Sequence, residues 1–343
     1  MNRSHLTWLA GTGLAAAAVL CSPARADDVA KFYKGKTVTI VAGFSAGGGF
    51  DLYARLAASH WGRFLPGTPN FIVQNMPGAG SLKAARYLFN AASRDGTVIG
   101  IMLPHVVASV LMEKKEVVRP AEYNWLGRIN EHISFAVVRK DAPAGSVAAA
   151  KSKQVIIGAT AADNISATVA FALNSLIGTK FKVVTGYRGT SAMAPALERG
   201  EVEAVGAVSW ELLNTRLRHW VADDKISYLW ILHSKRYKGA PDVPSFVEFA
   251  DDPADRAVLE FLGSGPAPGR SFAAPPKAPA DRVAALRRAF TAMVADKTFL
   301  ADAKKRKLDI DAAPGAEIQE IVARIVATPR PVIDKTLTAI KPK

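Results

Sequence analysis

The sequence predicts an α/β protein made of two doubly wound, mainly parallel sheets flanked by helices. Three observations carry this. Runs rich in β-branched residues alternate with helical patterns over residues 37–103 and again over 154–208, the pattern of parallel strands joined by helical crossovers. Several of these strands end in a small-residue or glycine-rich loop. Two further apolar strands, at 135–139 and 226–232, read as crossovers between two lobes.

Residues 37–42 (TVTIVA) read as a buried strand from their β-branched content, and 52–64 as a helix with Leu52, Leu56 and Ala57 on one side. Residues 70–74 (NFIVQ) form the second strand, 81–91 a helix capped by Ser81, and 97–103 a third strand after the Asp95-Gly96 turn. In the second unit, strands are expected at 135–139, 154–158, 182–185, 204–208 and 226–232, with helices at 166–177 and 191–199. Proline-rich segments follow at 240–244 and 263–279, and two well-patterned helices at 280–296 and 315–327. The expected organisation is residues 27–134 plus 233–343 in the first lobe and 135–232 in the second. In open parallel sheets ligands sit beyond the carboxyl ends of strands, so the loops after the strands are the functional candidates.

The N-terminus reads as a secretory signal peptide: a basic start at Arg3, an apolar stretch over 6–20, and an Ala24-Arg25-Ala26 cleavage site. Leu20 stands where a lipoprotein signal carries a small residue before its cysteine, so Cys21 leaves with the leader and the mature chain holds no cysteine. That excludes disulfides, a thiol nucleophile and thiolate metal sites. Loss of Arg3 and Arg25 lowers the formal charge from +14 to +12. The basic run Lys304-Lys305-Arg306-Lys307 suits a solvated helix end. Nucleic-acid binding is not expected without basic stripes interleaved with aromatics, and the histidines are too scattered for a metal site.

The loop Gly43-Phe44-Ser45-Ala46-Gly47-Gly48-Gly49 admits three readings. A nucleotide cradle fails, because Gly48 is followed by Gly49-Phe50 where a phosphate loop needs lysine, and Leu52 replaces the third glycine of a dinucleotide fingerprint. A serine-hydrolase elbow on Ser45 matches G-x-S-x-G, but no earlier loop supplies an oxyanion donor. An anion cradle needs only converging backbone N–H groups and a helix N-terminus. Asp51 in the first helical turn fits either a loop-fixing or a ligand-contact role. Pro77-Gly78-Ala79-Gly80-Ser81 repeats the design on the neighbouring strand. Two such loops make one site for a small carboxylate.

Residues 36–51, KTVTIVAGFSAGGGFD, resemble the P-[FY]-x-x-G-G-x-x-D opening of tripartite tricarboxylate transporter substrate-binding proteins, the TctC-like and Bug periplasmic receptors. Asn75-Met76-Pro77-Gly78-Ala79-Gly80 is similar to their N-[RK]-P-G-A-G loop, with Met76 in the usually basic place. Asp95-Gly96-Thr97 resembles their D-G-Y-T turn. Tyr187-Arg188-Gly189-Thr190 with Ala196 to Val202, and Pro241-Asp242-Val243-Pro244-Ser245, resemble two later motifs in the same order. The resemblance implies a two-lobed periplasmic binding protein fold of the second topological type. It also implies a non-enzymatic, cofactor-free and metal-free receptor that hands a small carboxylate to integral-membrane transporter subunits. Such a protein is expected to be a periplasmic monomer, with its leader cleaved after Ala26. The implied ligand contacts are Phe44 to Gly49, Asp51 and Gly78 to Ser81 in the first lobe. The second lobe adds Thr160, Ala161, Ala162, Asp163 and Asn164, and Tyr187, Arg188, Gly189 and Thr190. His105 and Ser209, each just beyond a strand, complete the candidates. Asp163 is read as capping the helix that Ser166 begins, or as selecting an amino or hydroxyl group. Gly158 to Asn164 depart from the family's G-S-x-G-x-G-[ST] pattern, which leaves the ligand open.

Overall fold

The computed structural model describes residues 23–102, 104–113, 118–187 and 189–342. Cys21, Arg188 and the leader up to residue 22 lie outside the described residues. The first sheet contains β1 (Thr37–Ala42), β2 (Asn70–Asn75), β3 (Val98–Ile101) and β4 (Asn124–Arg128). The second contains β5 (Ser134–Arg139), β6 (Val155–Gly158), β7 (Phe181–Val184), β8 (Ala204–Ser209) and β9 (Ile226–Ile231). The chain later returns to the first sheet for β10 (Ser271–Ala274) and β11 (Ala313–Pro314). The strand orders are β11-β4-β10-β3-β1-β2 and β7-β6-β8-β5-β9.

Both sheets are mixed, which corrects the mainly parallel expectation. β1 pairs parallel with β2 and β3, and β6 parallel with β7 and β8. β10 runs antiparallel to β3 and β4, and β5 antiparallel to β8 and β9. The reason lies in the return segments: a chain that leaves one sheet at a given edge and re-enters it there must run back along its neighbours.

Each sheet is covered on both faces, as period-2 side-chain alternation allows. Val38, Ile40 and Ala42 of β1 face a core around Trp61, Phe272 and Phe290, while Val41 faces Leu88, Trp125 and Ile318. In the second lobe Val138 and Ile157 pack with Leu173 and Trp230, and Phe135 and Val205 with Met193 and Trp220. Burying each large apolar side chain contributes roughly 1.5–3 kcal/mol, so the two lobes hold together without disulfides.

The lobe boundary expected after residue 232 shifts. Phe246, Leu259 and Leu262 join the second lobe's core, as does Ala339. The helix Pro253–Ser264 therefore belongs with the second sheet, and the chain crosses back through residues 265–270. The segment 129–133 makes the forward crossing, and the last helix, Arg330–Ala339, touches both lobes, with Ile333 in a first-lobe core and Ala339 in the second lobe's. β5 and β9 are neighbouring strands inside the second sheet rather than the crossings themselves.

Candidate functional site

Register places the site. Ala42 lies opposite both Asn75 and Ile101, so the loops after β1, β2 and β3 leave the first sheet at one edge. Antiparallel β10 begins at that same edge, because Phe272 pairs with Ile101. In the second sheet Gly158 lies opposite Val184 and Val205, and Ser134 opposite Ser209. The segments linking the lobes run between these two edges, so the strand-end loops of both lobes converge there.

The first loop is held from below. Asp51 is buried, and its carboxylate accepts from the Gly47 N–H at 2.8 Å, Arg55 Nε at 2.8 Å and Asn75 Nδ2 at 2.8 Å. Burial pushes its pKa up, but the hydrogen bonds from Arg55, Asn75 and Gly47 outweigh that and hold it below the usual carboxylate range. Asn75 also donates to the Phe44 carbonyl at 3.0 Å, and Phe44 stacks on Phe50 with centroids 4.1 Å apart. Asp51 therefore fixes the loop, and Ser45, Ala46, Gly47, Gly48 and Gly49 are left exposed ahead of the helix Gly49–Trp61.

The second loop is more unusual. Gly78, Ala79, Gly80 and Ser81 all have positive φ, at 144°, 45°, 56° and 74°. For Ala79 and Ser81 this conformation costs on the order of 1–3 kcal/mol each, the kind of strain that concentrates at binding sites. Ser81 makes no capping hydrogen bond to the helix Leu82–Asn90, contrary to the expectation. Its hydroxyl donates instead to the Gly43 carbonyl at 3.0 Å.

In the second lobe, Asn164 rather than Asp163 caps the helix Ile165–Ile177, accepting from the Ser166 N–H at 3.1 Å. The Thr160 N–H donates to Ser166 Oγ, leaving Ala161, Ala162 and Asp163 exposed. Tyr187 packs into the second lobe, with its ring beside Gly158. Gly189, at φ 107°, precedes the helix Thr190–Glu198, and Thr190 Oγ1 donates to the Ala207 carbonyl. Ser209 caps a short helix by accepting from the Leu212 N–H.

A cavity of about 330 Å³ brings the two walls together. Ala79, Gly80 and His105 contribute from the first lobe, and Ala161, Asp163 and Asn164 from the second. Val106, Met112, Ile165 and Leu262 supply an apolar lining. The first glycine loop, Tyr187, Gly189, Thr190 and Ser209 do not line this cavity. A larger cavity of about 630 Å³ lies elsewhere, between the helices Pro253–Ser264, Gly315–Val326 and Arg330–Ala339, beside Arg128 and His233. The smaller one is bounded by the loops that follow β2, β3 and β6, at Ala79-Gly80, His105 and Ala161 to Asn164, and we place the candidate site there.

Sequence reasoning missed a row of polar groups next to it. Arg270, just ahead of β10, is buried and meets Glu211 of the second lobe at 2.9 Å. The same guanidinium bonds Asn130 and the Glu131 carbonyl and lies over the rings of Phe50 and Tyr53. His132 sits 5.6 Å from Phe50, ring to ring. Both ring nitrogens of His105 are shielded from solvent without hydrogen-bond partners, as is Nδ1 of His132. Burial pulls the His105 pKa down to about 4. Burial, with Arg270 and His105 nearby, pulls His132 well below the usual imidazole value. Both rings are therefore neutral at pH 7. Glu211 was findable, since it follows the end of β8, where ligand-facing residues are expected. Arg270 was hidden in a segment that reads as a loop.

No protein-family model matches the chain, and no curated protein matches it in sequence. Solved structures do match in shape. A TctC solute-binding protein from Polaromonas, without ligand, superposes with a TM-score of 0.64 at 23% identity, over 88% of this chain and 99% of that one. The chain has the two-lobed fold of that binding protein. A Rhodopseudomonas palustris protein with adipate follows at TM-score 0.61 and 20% identity, over 89% of this chain and 97% of that one. MatC from the same organism, with bound malate, gives 0.59 at 20% identity, over 89% and 99%.

On this two-lobed fold, Ser45 lacks the surroundings of a hydrolase elbow. It is not among the residues with positive φ, and no histidine among the described residues hydrogen-bonds to it. The described residues contain no cluster of three or more histidine, cysteine, aspartate or glutamate side chains placed to hold a metal ion. No helix among them is long and apolar enough to cross a membrane.

Proposed function

We propose that this protein is an exported, monomeric solute receptor of the tripartite tricarboxylate transporter type. It closes on a small carboxylate between its lobes and delivers it to integral-membrane subunits without chemical conversion. One observation carries the reading: the cavity bounded by Ala79, Gly80 and His105 on one side and Ala161, Asp163 and Asn164 on the other. The strained Ala79-Gly80-Ser81 turn and the helix behind it offer main-chain N–H groups and a positive dipole end to an anion. The neighbours of the same fold that hold malate and adipate support a carboxylate as the ligand class. Phe44 to Gly49 act as an outer rim of the same clamp, fixed by Asp51 and Asn75. Export removes the leader after Ala26, and the intact mass of the exported protein checks that position.

Thermal-shift screening against mono-, di- and tricarboxylates, aromatic acids, phosphates and sugars tests the reading. A carboxylate at about a hundred times its dissociation constant stabilises by about 2.7 kcal/mol. Shifts with phosphates or sugars and none with carboxylates would contradict it. Ser45→Ala separates it from hydrolysis: the receptor keeps its fold and a weakened ligand-induced shift, whereas loss of an ester-cleaving activity would assign Ser45 as a nucleophile.

A further inference from the structure

The cavity between the lobes is asymmetric in charge. Its first-lobe wall is the Ala79-Gly80 turn, which leads into the helix Leu82–Asn90 and favours an anion. Its second-lobe wall carries Asp163, the one residue with a formal charge at pH 7 among the described residues lining it. Among the described residues no lysine or arginine lines the cavity, and no salt bridge engages Asp163. His105 contributes a neutral ring whose two nitrogens have no protein partner. Such a ring offers one donor and one acceptor but no charge. The rest of the described lining is mostly apolar, with Val106, Ala108, Met112, Ile165 and Leu262, and carries only the neutral polar groups of Ser109, Asn164 and Thr168 besides.

A carboxylate at the Ala79-Gly80 wall therefore directs the rest of its ligand across a mostly apolar, uncharged lining toward Asp163. A second carboxylate arriving there would meet no cation among the described lining residues and would face a like charge. Resting on the receptor reading above, we propose that this pocket selects ligands with a single carboxylate and an uncharged far end, and that Asp163 rejects a second carboxylate. His105 adds selectivity for a far group or backbone that can exchange one neutral hydrogen bond.

Calorimetric titration with chain-length-matched pairs tests this: hexanoate against adipate, butyrate against succinate, benzoate against terephthalate. Wild-type protein is expected to bind the best monoacid about fivefold more tightly than its matched diacid, the scale of one like-charge contact beside a water-exposed carboxylate. Asp163→Asn, at an exposed position that leaves the melting temperature unchanged, is expected to raise the diacid's affinity several-fold relative to its matched monoacid's. A diacid that binds wild type as tightly as its monoacid overturns the selectivity while leaving the receptor reading standing. A ratio unmoved by Asp163→Asn overturns the role of Asp163. If no acid of any pair binds, the carboxylate-receptor reading itself fails, and the selectivity with it.

Discussion

Ser81 donates its hydroxyl to the Gly43 carbonyl at 3.0 Å, and this bond joins the two strand-end loops of the first lobe into one wall. The approach is so close that a Cβ on Gly43 would lie 2.5 Å from Ser81 Oγ and 2.7 Å from Ser81 Cβ. Ser81→Ala leaves a buried carbonyl short of a donor, at a cost of about 1–3 kcal/mol. Gly43→Ala forces the loops apart, costing about 1–3 kcal/mol by overpacking. Because the clash is with the Ser81 side chain, Ser81→Gly partly rescues Gly43→Ala. Urea unfolding of the two single variants and the double variant checks this. Additive losses in the double variant would contradict the contact.

Asp51 is expected to be structural. Asp51→Ala removes the acceptor for Gly47, Arg55 and Asn75 together and destabilises by about 1–3 kcal/mol. Ser45→Ala, on the exposed rim, leaves the unfolding midpoint in place. Since the Asp51 carboxyl is held below its ordinary pKa, its contribution is present above pH ~4 and is lost as pH falls through the folded value. Asp302 behaves the same way. Hydrogen bonds from Arg306, then His60, bring it to about 2, so its share fades between pH ~4 and 2.

The histidines act in a higher window. In the unfolded chain a histidine binds its proton near pH 6.5, and His105 in the fold does so only near 4. Between those values the unfolded state holds more protons, so stability rises with pH and is lost as pH falls from about 6.5 to 4. His132 shifts in the same direction. Denaturant midpoints measured from pH 7.5 to 4.5 should fall, and His105→Gln should reduce the slope by up to about 1.4 kcal/mol per pH unit.

The Arg270–Glu211 pair bridges the lobes at the cleft edge. Glu211→Gln keeps the shape but weakens the bridge, so the ligand-free protein should sample more open arrangements. Small-angle scattering should show a larger radius of gyration for the variant, with the difference abolished by a saturating ligand. An unchanged radius would assign the pair a packing role alone.

Most of the regular elements were legible, and each miss has a physical cause. Thr37–Ala42 announces itself by β-branching, and the parallel trio it leads fixes where the loops emerge. β10 is Ser271-Phe272-Ala273-Ala274, small-residued and surrounded by proline and glycine, and only its pairing with β3 and β4 makes it a strand. The helices Pro253–Ser264 and Arg330–Ala339 carry proline near the start, which reads as a breaker although the first turn tolerates it. Asp163 and Asn164 are both fit to cap, and only the backbone geometry selects Asn164. The Arg270–Glu211 bridge joins residues 59 apart in sequence, and no local pattern encodes it.

The structure of the protein with a bound carboxylate, benzoate or hexanoate, tests the central claim most directly. The account predicts the carboxylate at the main-chain N–H groups of Ala79-Gly80, with the rest of the ligand between His105 and the Ala161 to Asn164 segment. Ligand found in the larger cavity beside Arg128 and His233, with the space between the lobes unfilled, would contradict it.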